Sequence, residues 1–256
     1  RGGKPVFVDI DPNTLNMDWK LIEGFINEKT KAIVPVHYAG FSCEMDEIIK
    51  ISKKYNLLII EDAAQGVMSK YKNRALGSIG DLGCYSFHET KNIISGEGGA
   101  ILINNKDFEE RANYIREKGT NRSLFDKGKI DKYTWVDIGS SFLPGELTAA
   151  FLFAQMEQAE EITRERLKIW NYYKNGLKNM EEEGLVSIPK IQKDREHNGH
   201  IFYLIHKNNF ERDLFIQKMR EKEVIVVFHY IPLHNSSFAK KNLNLTSQKL
   251  KYTESI

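Results

Sequence analysis

Apolar residues in the first half of the chain fall into short unbroken runs separated by stretches of helical spacing. Residues 6–10 read as a strand, 18–27 as a helix and 32–37 as a strand. Across 44–55, Met45, Ile48, Ile49 and Ser52 recur three and four apart, which predicts a helix face, and 57–60 follows as a wholly apolar strand. Residues 82–87 and 99–103 add two strands, and 107–118 a further helix. Strands that are apolar on both faces and alternate with helices predict an α/β domain with a mostly parallel sheet, because helices cover both sides of such a sheet.

The texture changes near residue 145. Residues 146–183 are rich in Ala, Leu, Glu, Gln and Lys and hold no proline, predicting one long helix or two broken near Asn175-Gly176. Residues 200–206 then read as a strand, 211–222 as a helix and 224–228 as a strand. The expected organisation is a large α/β part over 1–145 and a long helix with a smaller α+β part over 146–256. The chain opens directly on a strand pattern without a methionine and stops with no terminating signal, so it reads as a fragment lacking segments at both ends.

Composition narrows the class. Of 256 residues, 41% are hydrophobic and 28% charged, the balance of a chain that folds. Thirty-seven basic residues against 35 acidic ones leave a net charge of +2, so no field of one sign draws the chain to nucleic acid or to a membrane surface. No apolar run approaches the roughly 18 residues of a membrane span. Two cysteines, Cys43 and Cys84, are too few for a disulfide framework and suit a reducing compartment, so a cytoplasmic enzyme is expected. No pair of His or Cys sits at metal-ligand spacing, and Ser86 lacks the glycine-flanked elbow of a serine hydrolase.

Chemistry is sought beyond the carboxyl ends of the strands, where open parallel sheets bind their ligands. Glu61-Asp62-Ala63-Ala64-Gln65-Gly66 follows the strand at 57–60. A carboxylate fixed there can hold a positive charge on a bound ring, although such residues often only cap the next helix. In Tyr85-Ser86-Phe87-His88-Glu89-Thr90-Lys91-Asn92, a strand places Ser86 and His88 on one side, and Lys91 follows in the loop. A lysine held between buried strands can be desolvated enough to attack a carbonyl. Gly96, Gly98 and Gly99 lie just beyond and permit the close backbone approach of a phosphate-bearing site. The alternative is a hairpin turn carrying a solvated lysine.

These segments, in this order, resemble the DegT/DnrJ/StrS family of sugar aminotransferases, whose members carry Asp-x-x-Gln or Asp-x-x-His, then Ser-Phe-His-x-x-Lys, then Glu-Gly-Gly. Here they read Asp62-Ala63-Ala64-Gln65, Ser86-Phe87-His88-Glu89-Thr90-Lys91 and Glu97-Gly98-Gly99. The resemblance runs nearly end to end and implies the fold type I of pyridoxal 5'-phosphate enzymes. It implies Lys91 as the Schiff-base lysine and proton shuttle, Asp62 against the pyridinium nitrogen, Gln65 on the ring hydroxyl, Ser86 on the phosphate and His88 as a shaper of the pocket. It also implies a homodimer, with Ser141 at the position where many relatives place an asparagine that reaches the partner subunit's phosphate.

Residues 117–123, 131–135 and 137–141 are similar to the branch that makes dTDP-4-amino-4,6-dideoxygalactose for surface polysaccharide. A dTDP-linked keto sugar and glutamate are therefore the expected substrates. Phe228-His229-Tyr230-Ile231-Pro232-Leu233-His234 is similar to the segment that closes over the sugar nucleotide, which makes Tyr230 and His234 substrate-binding candidates, packing being the other use of that loop. His37 ends a strand on the ligand side and is expected to be structural. The family's Gly-Thr phosphate loop would lie in a preceding segment. Rival readings are a sugar dehydratase of the same family, which has histidine where this chain has Lys91, and a non-catalytic sugar-nucleotide sensor, which would not need Asp62 and Lys91.

Overall fold

The computed structural model describes residues 2–243 and 250–256. Its strands are β1 Ala32–Ile33, β2 Leu58–Asp62, β3 Lys70–Tyr71, β4 Arg74–Ala75, β5 Leu82–Ser86, β6 Gly99–Ile103, β7 Val186–Ser187, β8 Arg195–Glu196 and β9 Ile205–His206. Its helices are α1 Trp19–Ile22, α2 Met45–Tyr55, α3 Glu109–Arg116, α4 Arg122–Asp126, α5 Glu146–Glu157, α6 Ala159–Glu182, α7 Asn209–Glu221, α8 Ser237–Asn242 and α9 Lys251–Ser255.

The main sheet runs β1-β2-β5-β6. β1 and β2 are parallel, as are β2 and β5, while β6 returns antiparallel to β5. The sheet is therefore mixed, and the connection that carries Lys91 is the loop of an antiparallel hairpin. Helix α2 shows why this part folds. Met45, Ile48, Ile51 and Ser52 are buried, acidic residues open its first turn, lysines close its last, and Asn56 ends it in the left-handed conformation. The buried face packs with Ile33, Leu57, Ile59, Tyr71 and Leu76, and each large aliphatic side chain there contributes roughly 1.5–3 kcal/mol. Gly83 in β5 admits no side chain, because a Cβ would lie 2.0 Å from the Gly77 carbonyl oxygen.

Two further clusters tie the second half of the chain to the first. Val67, Phe87 and Ile93 pack with Ala159 of α6, and Ala39 and Phe41 pack with Trp170.

Several expected elements are shorter or absent. Residues 6–10 form only a bridge from Ile10 to Met17, and 32–37 is a strand only at β1 with a further bridge at Val36, since Pro35 has no N–H to donate. The helix expected at 18–27 ends at Ile22 and continues as the 3-10 turn Glu23–Phe25. The long helical stretch breaks at Gln158, and Gly176 lies inside α6. Residues 224–228 form no strand: Ile225 and Val227 are exposed, with no ladder partner among the described residues. Of 200–206 only β9 is extended and paired.

Candidate active site

Adjacent residues at the end of β2 point opposite ways. Glu61 is fully buried; its Oε2 accepts from His37 Nε2 at 2.9 Å and from the Gly77 N–H at 2.8 Å, and its Oε1 from the N–H groups of Ile79 and Gly80 at 2.6 and 2.7 Å. His37 is equally buried, and its Nδ1 accepts from the Cys43 N–H, so its proton is on Nε2. Burial pushes the Glu61 carboxyl up, but the bonds from His37, Gly80 and Gly77 outweigh it and hold the group below its ordinary value. Glu61 thus fastens the 77–80 turn under the sheet, immediately before β5.

Asp62 is half-buried on the other side. Its Oδ1 accepts only the Ala64 N–H at 3.1 Å, and no cation pairs with it among the described residues. The parallel register sets it beside Cys84, with Ser86 two residues further at the end of β5. Burial, followed by the charge of Asp62, pushes the Cys84 thiol up. Gln65 accepts from the Ala39 N–H through Oε1 at 2.5 Å, which leaves its NH2 as a donor.

The hairpin loop is anchored at both ends. The Phe87 N–H donates to Gly98, the Ser95 N–H to Phe87 and the Lys91 N–H to His88, and the side chains of Phe87 and Ile93 are buried. Lys91 is half-buried and lines a narrow cleft with Gln65, Asn92, Asn198 and His200. Its ammonium has no ion pair or hydrogen bond among the described residues. β5 ends at Ser86, so the strand alternation expected to carry His88 does not reach it. The His88 N–H instead folds back to Ser86 Oγ at 3.3 Å, and its ring Nδ1 accepts from the Thr90 N–H at 3.2 Å.

The second half of the chain brings groups to Lys91 that no local motif announced. Burial and the charge of Lys91 lower His200 to about 4, and the same two causes lower His229. His229 Nδ1 is hydrogen-bonded to the Tyr38 hydroxyl, which burial and then Tyr230 push up to about 12, so the phenol is the donor. Of the residues expected on this loop, Tyr230 is 74% exposed, and its ring lies tilted against that of His229. His234 is buried, with its Nε2 on Glu254. Ser141 is exposed and bridges to Glu117 after α3.

Asp62 and Ser86 end the neighbouring strands β2 and β5, Lys91 follows β5 in its loop and shares a cleft with Gln65, and neither Asp62 nor Lys91 has an ion partner among the described residues. The model of the DegT/DnrJ/EryC1/StrS aminotransferase family matches residues 1–256. The chain belongs to this family. It is 37% identical over 244 residues to an uncharacterized protein, MJ1066, of Methanocaldococcus jannaschii, covering 93% of this chain and 62% of that one. It is 31% identical over 245 residues to a GDP-perosamine synthase of Escherichia coli O157:H7, covering 93% and 64%. Among solved structures, Spr1654 of Streptococcus pneumoniae in its PLP-form superposes with a TM-score of 0.82 at 26% identity, over 95% of this chain and 65% of that one. The chain therefore spans a little under two thirds of the length of these relatives.

DegT/DnrJ/EryC1/StrS aminotransferases use pyridoxal 5'-phosphate and have fold type I, to which the mixed sheet here conforms. The donor set fits that group. Among the described residues the Asp62 carboxyl has no cation partner, which leaves it available to a ring nitrogen, and the Lys91 side chain has no carboxylate partner, which leaves it available to a carbonyl.

Proposed function

We propose that the full-length protein moves the amino group of glutamate to a nucleotide-linked 4-keto-6-deoxy sugar, forming dTDP-4-amino-4,6-dideoxygalactose for surface polysaccharide. The observation that carries this reading is that Asp62 at the end of β2 and Lys91 in the loop after the neighbouring β5 each have no ion partner among the described residues. A relative named as a perosamine synthase supports a nucleotide sugar as the acceptor.

Pyridoxal phosphate, when bound, supplies an electron sink that makes the proton on the amino-bearing carbon labile. Lys91 would hold that group through its amine and would move the proton at the substrate carbon. The Asp62 carboxylate would face the ring nitrogen, the NH2 of Gln65 would donate to the ring hydroxyl, and the Ser86 hydroxyl would donate to the phosphate. His88 shapes the entrance. In the proposed homodimer the Ser141 hydroxyl reaches the phosphate in the partner subunit. Tyr230 and His234 serve the sugar nucleotide, Tyr230 by contact from its exposed position and His234 by holding the loop through Glu254. We also propose the division at 145/146, with 1–145 bearing the cofactor group and 146–256 covering it.

The test is incubation of the full-length protein with pyridoxal phosphate, glutamate and dTDP-4-keto-6-deoxyglucose, followed by mass spectrometry and NMR of the sugar nucleotide. The expected product is the 4-amino sugar with galacto configuration. Amination at another carbon, or of another nucleotide's sugar alone, would overturn the assignment of substrate.

A further inference from the structure

We propose that Asn198 and His200 are positioning residues for Lys91 and Gln65, acting through Asn92. The proposal rests on the functional reading of Lys91 given above.

The contacts form a closed set. Asn198 is 1% exposed, and its Nδ2 donates to the carbonyls of Gln65 and Val67, each at 2.8 Å. Its own backbone carbonyl accepts from Asn92 Nδ2 at 2.9 Å. The Asn198 Oδ1 accepts the His200 N–H at 3.1 Å. His200 Nδ1 lies 2.7 Å from Asn92 Oδ1. Two residues shortly after β8, Asn198 and His200, thus grip the backbone on which Gln65 sits and the side chain next to Lys91, with Asn92 more than 100 positions away in sequence.

The geometry also fixes a tautomer. Asn92 Nδ2 is used as a donor to Asn198, so Asn92 Oδ1 is the acceptor and His200 Nδ1 must carry the hydrogen. His200 Nε2 is then a lone pair, and it has no protein partner among the described residues. Because burial and the charge of Lys91 lower His200 to about 4, this imidazole stays neutral and adds no second cation beside the lysine. It is too weak a base to take the lysine's proton, so its part is to hold Asn92. Arg166 supports the same residue from α6, donating to the His200 carbonyl at 3.1 Å. Gly40 leaves room for the clamp: at a φ of +84°, a Cβ there would lie 2.1 Å from Asn198 Oδ1.

The experiment uses the full-length protein, freed of cofactor and reloaded with pyridoxal 5'-phosphate as the probe. Capture is followed by visible absorbance and visible circular dichroism, and the site is located by borohydride trapping and peptide mapping. Asn198→Ala removes three hydrogen bonds of a buried side chain and is expected to slow capture at Lys91 by about 10- to 100-fold. His200→Leu removes one, for about tenfold, and both variants should weaken the dichroic band that reports a fixed orientation. His200→Gln keeps a donor toward Asn92 and should restore the rate to within about threefold, which a purely structural loss would not show. Should Asn198→Ala fail to fold, the His200→Leu and His200→Gln pair decides alone. If the wild type is trapped at Lys91 while both His200 variants capture within twofold of it, the inference is overturned and the role of Lys91 stands. If the wild type is not trapped at Lys91, the functional reading fails and takes this inference with it.

Discussion

Glu61 and Asp62 are both carboxylates on one strand, and their surroundings assign them different work. Among the described residues the Asp62 side chain has a single backbone bond and no counter-ion, so Asp62→Asn keeps the contact with Ala64 and removes only the charge. Stability should change by less than about 0.5 kcal/mol, whereas kcat should fall at least about 100-fold, because a fixed charge facing the reacting group in a dry site is worth several kcal/mol. A variant of full activity would remove Asp62 from the site. Glu61→Gln should do the reverse of this on stability. An amide nitrogen would face N–H donors in a buried pocket, costing about 2–5 kcal/mol in urea unfolding. Because the folded Glu61 sits below its ordinary value of 4.5, its stabilising contribution is complete above that pH and is lost as pH falls through the folded value. The Gln variant should therefore lose less stability than the wild type on acidification. Equal slopes would contradict the arrangement.

Among the elements, those with a strong internal signal were legible. The four-residue rhythm of α2 and the apolar run of β2 stand in the sequence almost to the residue, because each buries a face set by its own periodicity. Residues 224–228 have the same apolar character and form no strand, since β-preference becomes structure only with a partner strand to pair with. Helix α5 shows a different gap between sequence and packing. It is apolar nearly all round, yet none of its residues is buried, and Leu147, Phe151 and Phe153 are 89%, 51% and 66% exposed. Phe142, Ile138 and Trp135, on the loop that precedes α5, are exposed as well. A patch of this kind is covered in the working protein, and the proposed homodimer gives it a partner. Phe153→Glu should lower the mass seen by light scattering of the full-length protein while leaving far-ultraviolet circular dichroism intact. A variant that self-associates as the wild type does would place the interface elsewhere.

At the scale of the whole molecule, the candidate site divides into residues carried by local motifs and residues brought together only by folding. Asp62, Gln65, Ser86 and Lys91 lie in two short segments at and just beyond the ends of β2 and β5, and the ordering of those segments carries the resemblance. Tyr38, Asn92, Asn198, His200 and His229 meet only after folding, through contacts 106 to 191 residues apart, so no window of sequence contains them. The sequence placed interest on Tyr230 and His234, whereas the imidazole of that loop which senses Lys91 is His229. What unites these parts is one claim, that Lys91 is the amine which holds pyridoxal phosphate. The most direct test is the visible absorption spectrum of the full-length protein with pyridoxal phosphate, before and after glutamate, beside a Lys91→Ala variant. A protein-bound visible band that glutamate bleaches, and that the variant cannot form, is the result predicted. A wild type that takes up no cofactor, or a Lys91→Ala variant with the same band and the same response to glutamate, would contradict it.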